Sequence, residues 1–216
     1  MKDVITIDGP SGAGKGTIAR ILAKKLGYKY LDTGALYRAV AWKVKKAKIR
    51  LDDEDALKKL LDETDIAFNG DKITVDGTDV ASEIRTAEIG ELSSQVSARP
   101  IVRAGLFSIQ RNMCLRGKVV IEGRDTGTTI FPEAENKFYL DAGIEERARR
   151  RYEELKARDA RVTIETTIED IRKRDSRDSA RKNSPLTKTD DMIYIDSTNL
   201  SIDEVVETII KNLKGP

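Results

Sequence analysis

Gly9-Pro10-Ser11-Gly12-Ala13-Gly14-Lys15-Gly16-Thr17 decides how the rest of the chain is read. The apolar run Val4-Ile5-Thr6-Ile7 precedes it, and Ile18, Ile21, Leu22 and Leu26 follow at helical spacing. Strand, tight glycine turn and helix are the context that a phosphate-binding loop requires. Glycines let the backbone curl so that successive N–H groups point inward at phosphate oxygens. The helix that opens there adds its positive dipole end. Lys15 supplies a mobile charge for the outer phosphates. Gly16 follows Lys15 where the strict pattern has Ser or Thr, and the hydroxyl comes one place later as Thr17.

Composition sets the bounds. A chain of 216 residues can bury one sizeable core with a small insertion. Its 39 basic and 37 acidic residues leave a net charge of +2, which gives no support for general nucleic-acid binding. Aromatics at 5% make a poor base-stacking platform. The single Cys114 excludes an intramolecular disulfide framework and fits a reducing compartment. No apolar run approaches membrane-spanning length and no signal peptide is recognisable, so a soluble, cytoplasmic protein without membrane partners is expected. With no histidine in the sequence, Ser-His-Asp and Cys-His catalysis and every histidine metal site are excluded.

Along the chain, Lys29-Tyr30-Leu31-Asp32 reads as a second strand, and Leu36, Tyr37, Val40, Ala41 and Val44 as a helix after it. Thr33, Tyr37 and Arg38 then fall at the C-terminal rim of the strands, where open α/β sheets bind ligands. Asp53 is placed to cap a helix carrying Leu57, Leu60 and Leu61. From Asp65 the period changes to alternation around Asn69-Gly70, with a second turn at Asp76-Gly77, which predicts a short antiparallel meander to about Val80. One long helix is expected from about Val96 to Arg116, with Pro100 in its first turn and Cys114 as a small core residue. The runs Lys118–Ile121, Lys137–Leu140 and Met192–Ile195 bring the buried parallel strands to five. Charged helices are expected over Glu145–Arg158 and about Thr167–Arg181, and Ser201 to Glu204 forms a capping box for the last helix.

A phosphate loop indicates a nucleoside triphosphate; the arginines indicate what becomes of it. Arg38, Arg124, Arg174, Arg181 and the Arg147–Arg151 cluster fall near strand ends or on charged helices. Phosphoryl transfer needs positioning and positive charge more than covalent help. Arg147 and Arg151 lie one helical turn apart, a spacing suited to clamping a polyphosphate. The missing histidine suits an acceptor that needs no general base. A phosphate monoester, with a second pKa of about 6, is largely deprotonated already. A guanine-specific switch wants an Asn-Lys-x-Asp run after a strand. The nearest stretch, Asn136-Lys137-Phe138-Tyr139, lacks the acid and is read as preceding its strand.

Six segments in order give the chain a specific resemblance: Ile7 to Gly16, Leu31 to Arg38, Glu83-Ile84-Arg85-Thr86, Ser94-Gln95-Val96, Gly123-Arg124-Asp125 and Arg174-Asp175-Ser176-Arg177-Asp178. Together they resemble the bacterial cytidylate kinases, within the P-loop nucleoside monophosphate kinases, over nearly the whole chain. The resemblance implies an α/β fold: a five-stranded parallel core over residues 1–64 and 96–216, a small antiparallel monophosphate-binding lobe at 65–95, and a short helical lid at about 147–165. It implies transfer of the γ-phosphoryl group of ATP to CMP or dCMP, with magnesium bridging the donor phosphates. The alternative is another monophosphate such as UMP or AMP. On this pattern Gly9, Pro10, Ser11, Gly12, Ala13, Gly14, Lys15, Gly16 and Thr17 bind ATP. Lys15, Arg124, Arg147 and Arg151 are the expected catalytic charges. Thr33 would bind the substrate, and Arg38, Arg124 and Arg181 would hold the acceptor phosphate. Asp178, with Arg174, would hold the ribose. Ser94, Arg103 and Asp125 would read cytosine, whose N4 amine suits a carboxylate and whose O2 and N3 suit a guanidinium. No direct protein ligand to the metal is expected beyond Thr17. Glu122 stands where relatives more often carry Asp. A monomer without nucleic-acid partners is expected.

Overall fold

The structure is a computed structural model that describes residues 1, 3–69, 72–115, 117–156 and 161–215. Gly70 of the expected hairpin turn, Arg116 at the end of the expected long helix, and residues 157–160 within the expected lid lie outside the described residues. In chain order the elements are β1 (Val4–Asp8), α1 (Lys15–Leu26), β2 (Lys29–Asp32), α2 (Thr33–Ala47), α3 (Glu54–Asp62), β3 (Ile66–Asn69), β4 (Lys72–Val75), β5 (Thr78–Asp79), α4 (Ala87–Val96), α5 (Pro100–Cys114), β6 (Val119–Gly123), β7 (Asn136–Asp141), α6 (Ile144–Lys156), α7 (Ile164–Ser179), β8 (Ile193–Asp196) and α8 (Ile202–Lys211). A short 3₁₀ turn covers Glu83–Arg85, and a wide turn with π-type bonding covers Thr126–Ile130.

The chain forms two compact units, Met1–Asp32 with Met113–Pro216, and Thr33–Asn112. The first holds a five-stranded parallel sheet in the order β2-β6-β1-β7-β8. Every residue of β1 is buried, which is why its sequence is a near-continuous apolar run. Strand alternation sorts its side chains. Ile5 and Ile7 of β1, Val120 of β6 and Phe138 and Leu140 of β7 join Ile18 and Leu22 of α1 and Val205, Val206 and Ile209 of α8 in one buried cluster. The other parity, Thr6 and Asp8, faces the Thr126–Ile130 turn, where a Cβ on Gly127 would lie 2.8 Å from Thr6 Oγ1 and 3.4 Å from Asp8 Oδ2. The chain leaves β1 toward β2 on one side, while β7 and β8 build out on the other. That reversal opens the crevice at the C-terminal strand ends.

In the second unit α2 packs against α3, α4, β4 and the Glu83–Arg85 turn. The hairpin register pairs Ile66 with Val75 and Phe68 with Ile73, and Ile66, Ile73 and Val75 are buried. Asp76 (φ 50°) and Gly77 (φ 75°) make the tight turn into β5. Asp53 caps α3 by accepting a hydrogen bond from the Ala56 N–H at 3.0 Å. Residues 65–95 are thus part of a larger compact unit that also contains α2, α3 and most of α5.

Three expectations need correcting, and one further element was not foreseen. The single helix expected from Val96 is two: α4 ends at Val96 and α5 starts at Pro100. A proline lacks the N–H that a continuing helix needs and pushes the preceding residue out of the α region, so Pro100 starts a helix instead of extending one. The stretch Asn136 to Tyr139 lies within β7 rather than before it, and the strand starts at Asn136, one residue earlier than Lys137. The wide Thr126–Ile130 turn has no periodic signature and arises from tertiary hydrogen bonds to Asp8. Helix α7 starts at Ile164, earlier than Thr167, because Thr163 and Thr166 form a reciprocal capping box.

Candidate active site

The loop from Gly9 to Gly14 joins β1 to α1 and is braced from behind. Gly9 has φ 152°, and a Cβ there would sit 1.9 Å from the Leu140 carbonyl oxygen of β7. Gly12 has φ 79°, and a Cβ there would sit 2.6 Å from the Arg147 carbonyl oxygen of α6. The loop therefore lies on β7 and α6 so closely that only glycine fits. Helix α6 also holds it with side chains. Arg147, 9% exposed, donates from Nη1 to the Ser11 carbonyl at 2.9 Å and from Nε to the Ala142 carbonyl at 2.9 Å. Arg150 donates to the Ala13 carbonyl at 3.4 Å and to Ser197 Oγ at 3.0 Å. Asp175 of α7 accepts from the Ser11 N–H at 3.1 Å and pairs with Arg147. Carbonyls thus turn outward to arginine, as a loop requires if its remaining N–H groups are to face an anion.

Lys15 is the first residue of α1 and is buried, its ammonium donating to the Pro10 carbonyl at 2.7 Å. Burial, with the Arg124 charge nearby, lowers its pKa to about 7. Thr17 is exposed in the first turn of α1. At Gly16 a Cβ would lie 3.4 Å from the Tyr30 hydroxyl and 3.6 Å from Glu122 Oε1, so Tyr30 and Glu122 reach into the space where the strict motif carries a hydroxyl. The parallel register sets Asp32 directly beside Glu122. Burial pushes the Glu122 carboxyl up to about 8, the neighbouring Asp32 carboxylate adds to the rise, and Lys15 and Arg124 oppose it.

Past the end of β6 stands a cluster of charge. Arg124 donates from Nε to Asp178 Oδ2 at 2.9 Å, and Arg181 pairs with the other oxygen of Asp178. Burial disfavours both ions, yet the Asp178 and Glu122 carboxylates hold the Arg124 pKa up, and Arg124, Arg181 and Arg174 hold the Asp178 pKa down. Arg174, Asp178 and Arg181 are brought to Arg124 by α7 and the chain just after it. Asp125 is buried and begins the wide turn. Asp8 holds that turn by accepting from the Thr126 N–H at 2.9 Å, its hydroxyl at 2.8 Å and the Gly127 N–H at 2.8 Å.

The second unit carries Thr33, Arg38, Ser94 and Arg103. Thr33 is buried at the start of α2. Arg38 donates to the Ile84 carbonyl at 3.2 Å. Arg103, 8% exposed, donates to the Ser97 carbonyl at 3.3 Å and lies 5.5 Å from the Tyr37 ring centroid. Ser94 is 1% exposed, and its hydroxyl has no hydrogen-bond partner among the described residues. A buried hydroxyl of that kind is costly unless something else completes it.

Arg151 differs from Arg147. It is half-buried and pairs with Glu154 one turn along α6 at 2.8 Å, whereas Arg147 is engaged with the loop backbone. Sequence reading assigned no role to Asp8, Arg150 and Asp175. The available signals were a strand-end acid directly before Gly9, an arginine one turn before Glu154 in a charged helix, and an acid one turn before Asp178. None of these distinguishes a tertiary hydrogen bond from a solvated side chain. Among the described residues no group of three or more carboxylate, cysteine or histidine side chains could hold a metal ion by itself.

Comparison with known proteins places this geometry. The sequence profile of the cytidylate kinase family matches residues 5–215. A cytidylate kinase of Geobacter sp. (strain M21) is 48% identical over 215 residues, covering 98% of this chain and 92% of the relative. The cytidylate kinase of Caldanaerobacter subterraneus subsp. tengcongensis is 48% identical over 98% of this chain and 96% of its own. Among solved structures, an uncharacterized protein from Eubacterium ventriosum shares the fold, with a TM-score of 0.52, 17% identity and coverage of 99% of this chain and 98% of that one. A family profile that spans residues 5–215, with relatives 48% identical over 98% of the chain, establishes that the chain belongs to the cytidylate kinase family.

Proposed function

We propose that the protein transfers the γ-phosphoryl group of ATP to CMP or dCMP, giving ADP and CDP or dCDP, in line and without a covalent intermediate. The observation that carries this is the glycine loop braced by Arg147 and Asp175, with the Lys15 ammonium held at the Pro10 carbonyl and the Arg124 charge near enough to act on it. A buried lysine and a half-buried arginine at the mouth of a glycine loop are a receptor for anionic oxygens sharing transition-state charge. Residues Gly9 to Thr17 hold the donor. Arg124, Arg181 and Arg38 hold the acceptor phosphate, and Asp178 with Arg174 holds the ribose. Thr33 lies in the acceptor-site segment. Arg151 supplies charge from the lid at about 147–165, and Arg147 acts on the donor through the loop it braces. Residues 65–95 form the lobe that binds the monophosphate.

Ser94, Arg103 and Asp125 read the base. The uncompleted Ser94 hydroxyl supports this, since a ligand atom would satisfy it. Cytosine offers an amine donor to Asp125, whereas uracil sets an oxygen against it. Magnesium would accompany ATP and would supply neutralising charge for the donor phosphates. Asp32 and Glu122, side by side beyond Gly16, suit the holding of its water shell rather than direct ligation. The protein works as a monomer on small molecules, without nucleic acid, in the cytoplasm; no described helix is long and apolar enough to cross a membrane.

The test is a steady-state panel of CMP, dCMP, UMP, AMP and GMP with ATP on purified protein. The expected result is the highest kcat/KM for CMP or dCMP, with UMP about 10-fold or more lower, the size of one lost buried hydrogen bond. A clear preference for AMP or GMP would overturn the base assignment.

A further inference from the structure

Asp175 and Arg147 lie outside the residues that would touch either nucleotide directly, yet they join the two ends of the proposed site. Asp175 of α7 accepts from the Ser11 N–H at 3.1 Å through Oδ1, while Oδ2 pairs with Arg147. Arg147 in turn donates to the Ser11 carbonyl at 2.9 Å. Both backbone polar groups of Ser11, on the two peptides that flank it, are therefore held by one ion pair, whose side chains are 19% (Asp175) and 11% (Arg147) exposed. Three residues further along α7, Asp178 holds Arg124 at 2.9 Å and also pairs with Arg181. Residues three apart on a helix lie on one face and move together. A single rigid turn of α7 thus presents one carboxylate to the phosphate loop and the next to the arginines proposed for the acceptor. The Asp175 charge also acts on Arg124.

We infer that Asp175, with Arg147, is a positioning residue that couples the two nucleotides: an acceptor engaging Asp178 and its arginines sets α7, and α7 through Asp175 sets the Ser11 turn of the loop for the donor. The coupling is reciprocal, so each nucleotide tightens the other by the same factor. The inference rests on the donor and acceptor assignments above, and its test is separable from theirs.

The experiment measures by calorimetry the dissociation constant of a non-hydrolysable ATP analogue with magnesium, alone and with saturating CMP. In the unmodified protein CMP is expected to tighten the analogue by about 5-fold or more. In Asp175→Ala that ratio falls toward one, while CMP alone binds within about three-fold of normal. Asp175→Asn keeps an acceptor for the Ser11 N–H and loses the ion pair, so its ratio falls in between. It serves as the readout if the alanine variant does not fold. A purely structural role would weaken both ligands without changing the ratio. Ratios equal to that of the unmodified protein in both variants, or no coupling in the unmodified protein, would overturn the inference. Failure of CMP to bind at all would instead count against the acceptor assignment.

Discussion

At the scale of single residues the site is defined by groups whose charge is set against their surroundings. Lys15 has a pKa lowered to about 7 by burial and by Arg124, so above that pH the free protein holds a neutral amine. A polyphosphate beside it restores the ammonium. ATP binding is therefore expected to take up a proton, with uptake absent below about pH 6 and growing as pH rises past 7, measured by calorimetry in buffers of differing ionisation enthalpy. Lys15→Ala abolishes that uptake and lowers kcat by about 100-fold or more while the fold persists; near-normal turnover in a folded variant would show that Lys15 does not hold the donor. Glu122 shows the opposite displacement. Its carboxyl is raised from 4.5 to about 8, so the native state keeps a proton that the unfolded chain releases. The stability tied to that proton is complete below 4.5 and is lost as pH climbs toward 8. Glu122→Gln carries no such dependence, so its Tm should gain on that of the unmodified protein across this interval. A constant Tm difference would show that Glu122 is ionised in the native state.

At the scale of elements, the loop owes its shape to what lies behind it. Helix α6 approaches so closely that a Cβ at Gly12 would meet the Arg147 carbonyl oxygen at 2.6 Å, in a backbone conformation with φ 79°. Gly12→Ala should cost more than about 1 kcal/mol in denaturant unfolding and weaken ATP before CMP, because the displaced element is the brace of the donor loop. Equal stability would mean that α6 can yield. The same reasoning explains the arginine-rich segment. From sequence, Arg147 and Arg151 are one helical turn apart and are expected to clamp one polyphosphate, while Arg150 has no assigned role. In the fold Arg147 and Arg150 face loop carbonyls, and Arg151 pairs along the helix surface. Helical spacing separates faces but does not say what each face meets. The division at Pro100 was, by contrast, readable in principle from proline chemistry alone, and the continuous apolar pattern on either side obscured it.

At the scale of the whole molecule, ligand binding and folding are linked. ATP with magnesium at about 100 times its dissociation constant adds ~2.7 kcal/mol to stability. For a chain of 216 residues that corresponds to a rise in Tm of roughly 5–10 °C. CMP should give a comparable rise, and UMP at the same concentration a smaller one, read by thermal denaturation. Duplex DNA should leave Tm unchanged, in keeping with a net charge of only +2. A DNA-dependent rise that vanishes with salt would contradict the small-molecule reading.

The amino-acid sequence alone determined the five parallel strands, the glycine loop with Lys15, the Asp53 and Ser201 caps and the antiparallel hairpin, because each rests on periodicity or local turn and cap chemistry within a few residues. Only the tertiary structure decided that Asp8 would hold the turn leading from Asp125, that Asp32 would stand beside Glu122, and that Asp175 would reach Ser11 across 164 positions of chain. Those contacts depend on strand order and helix placement. A carboxylate carries no local mark of whether its partner will be water or a backbone N–H brought to it by folding.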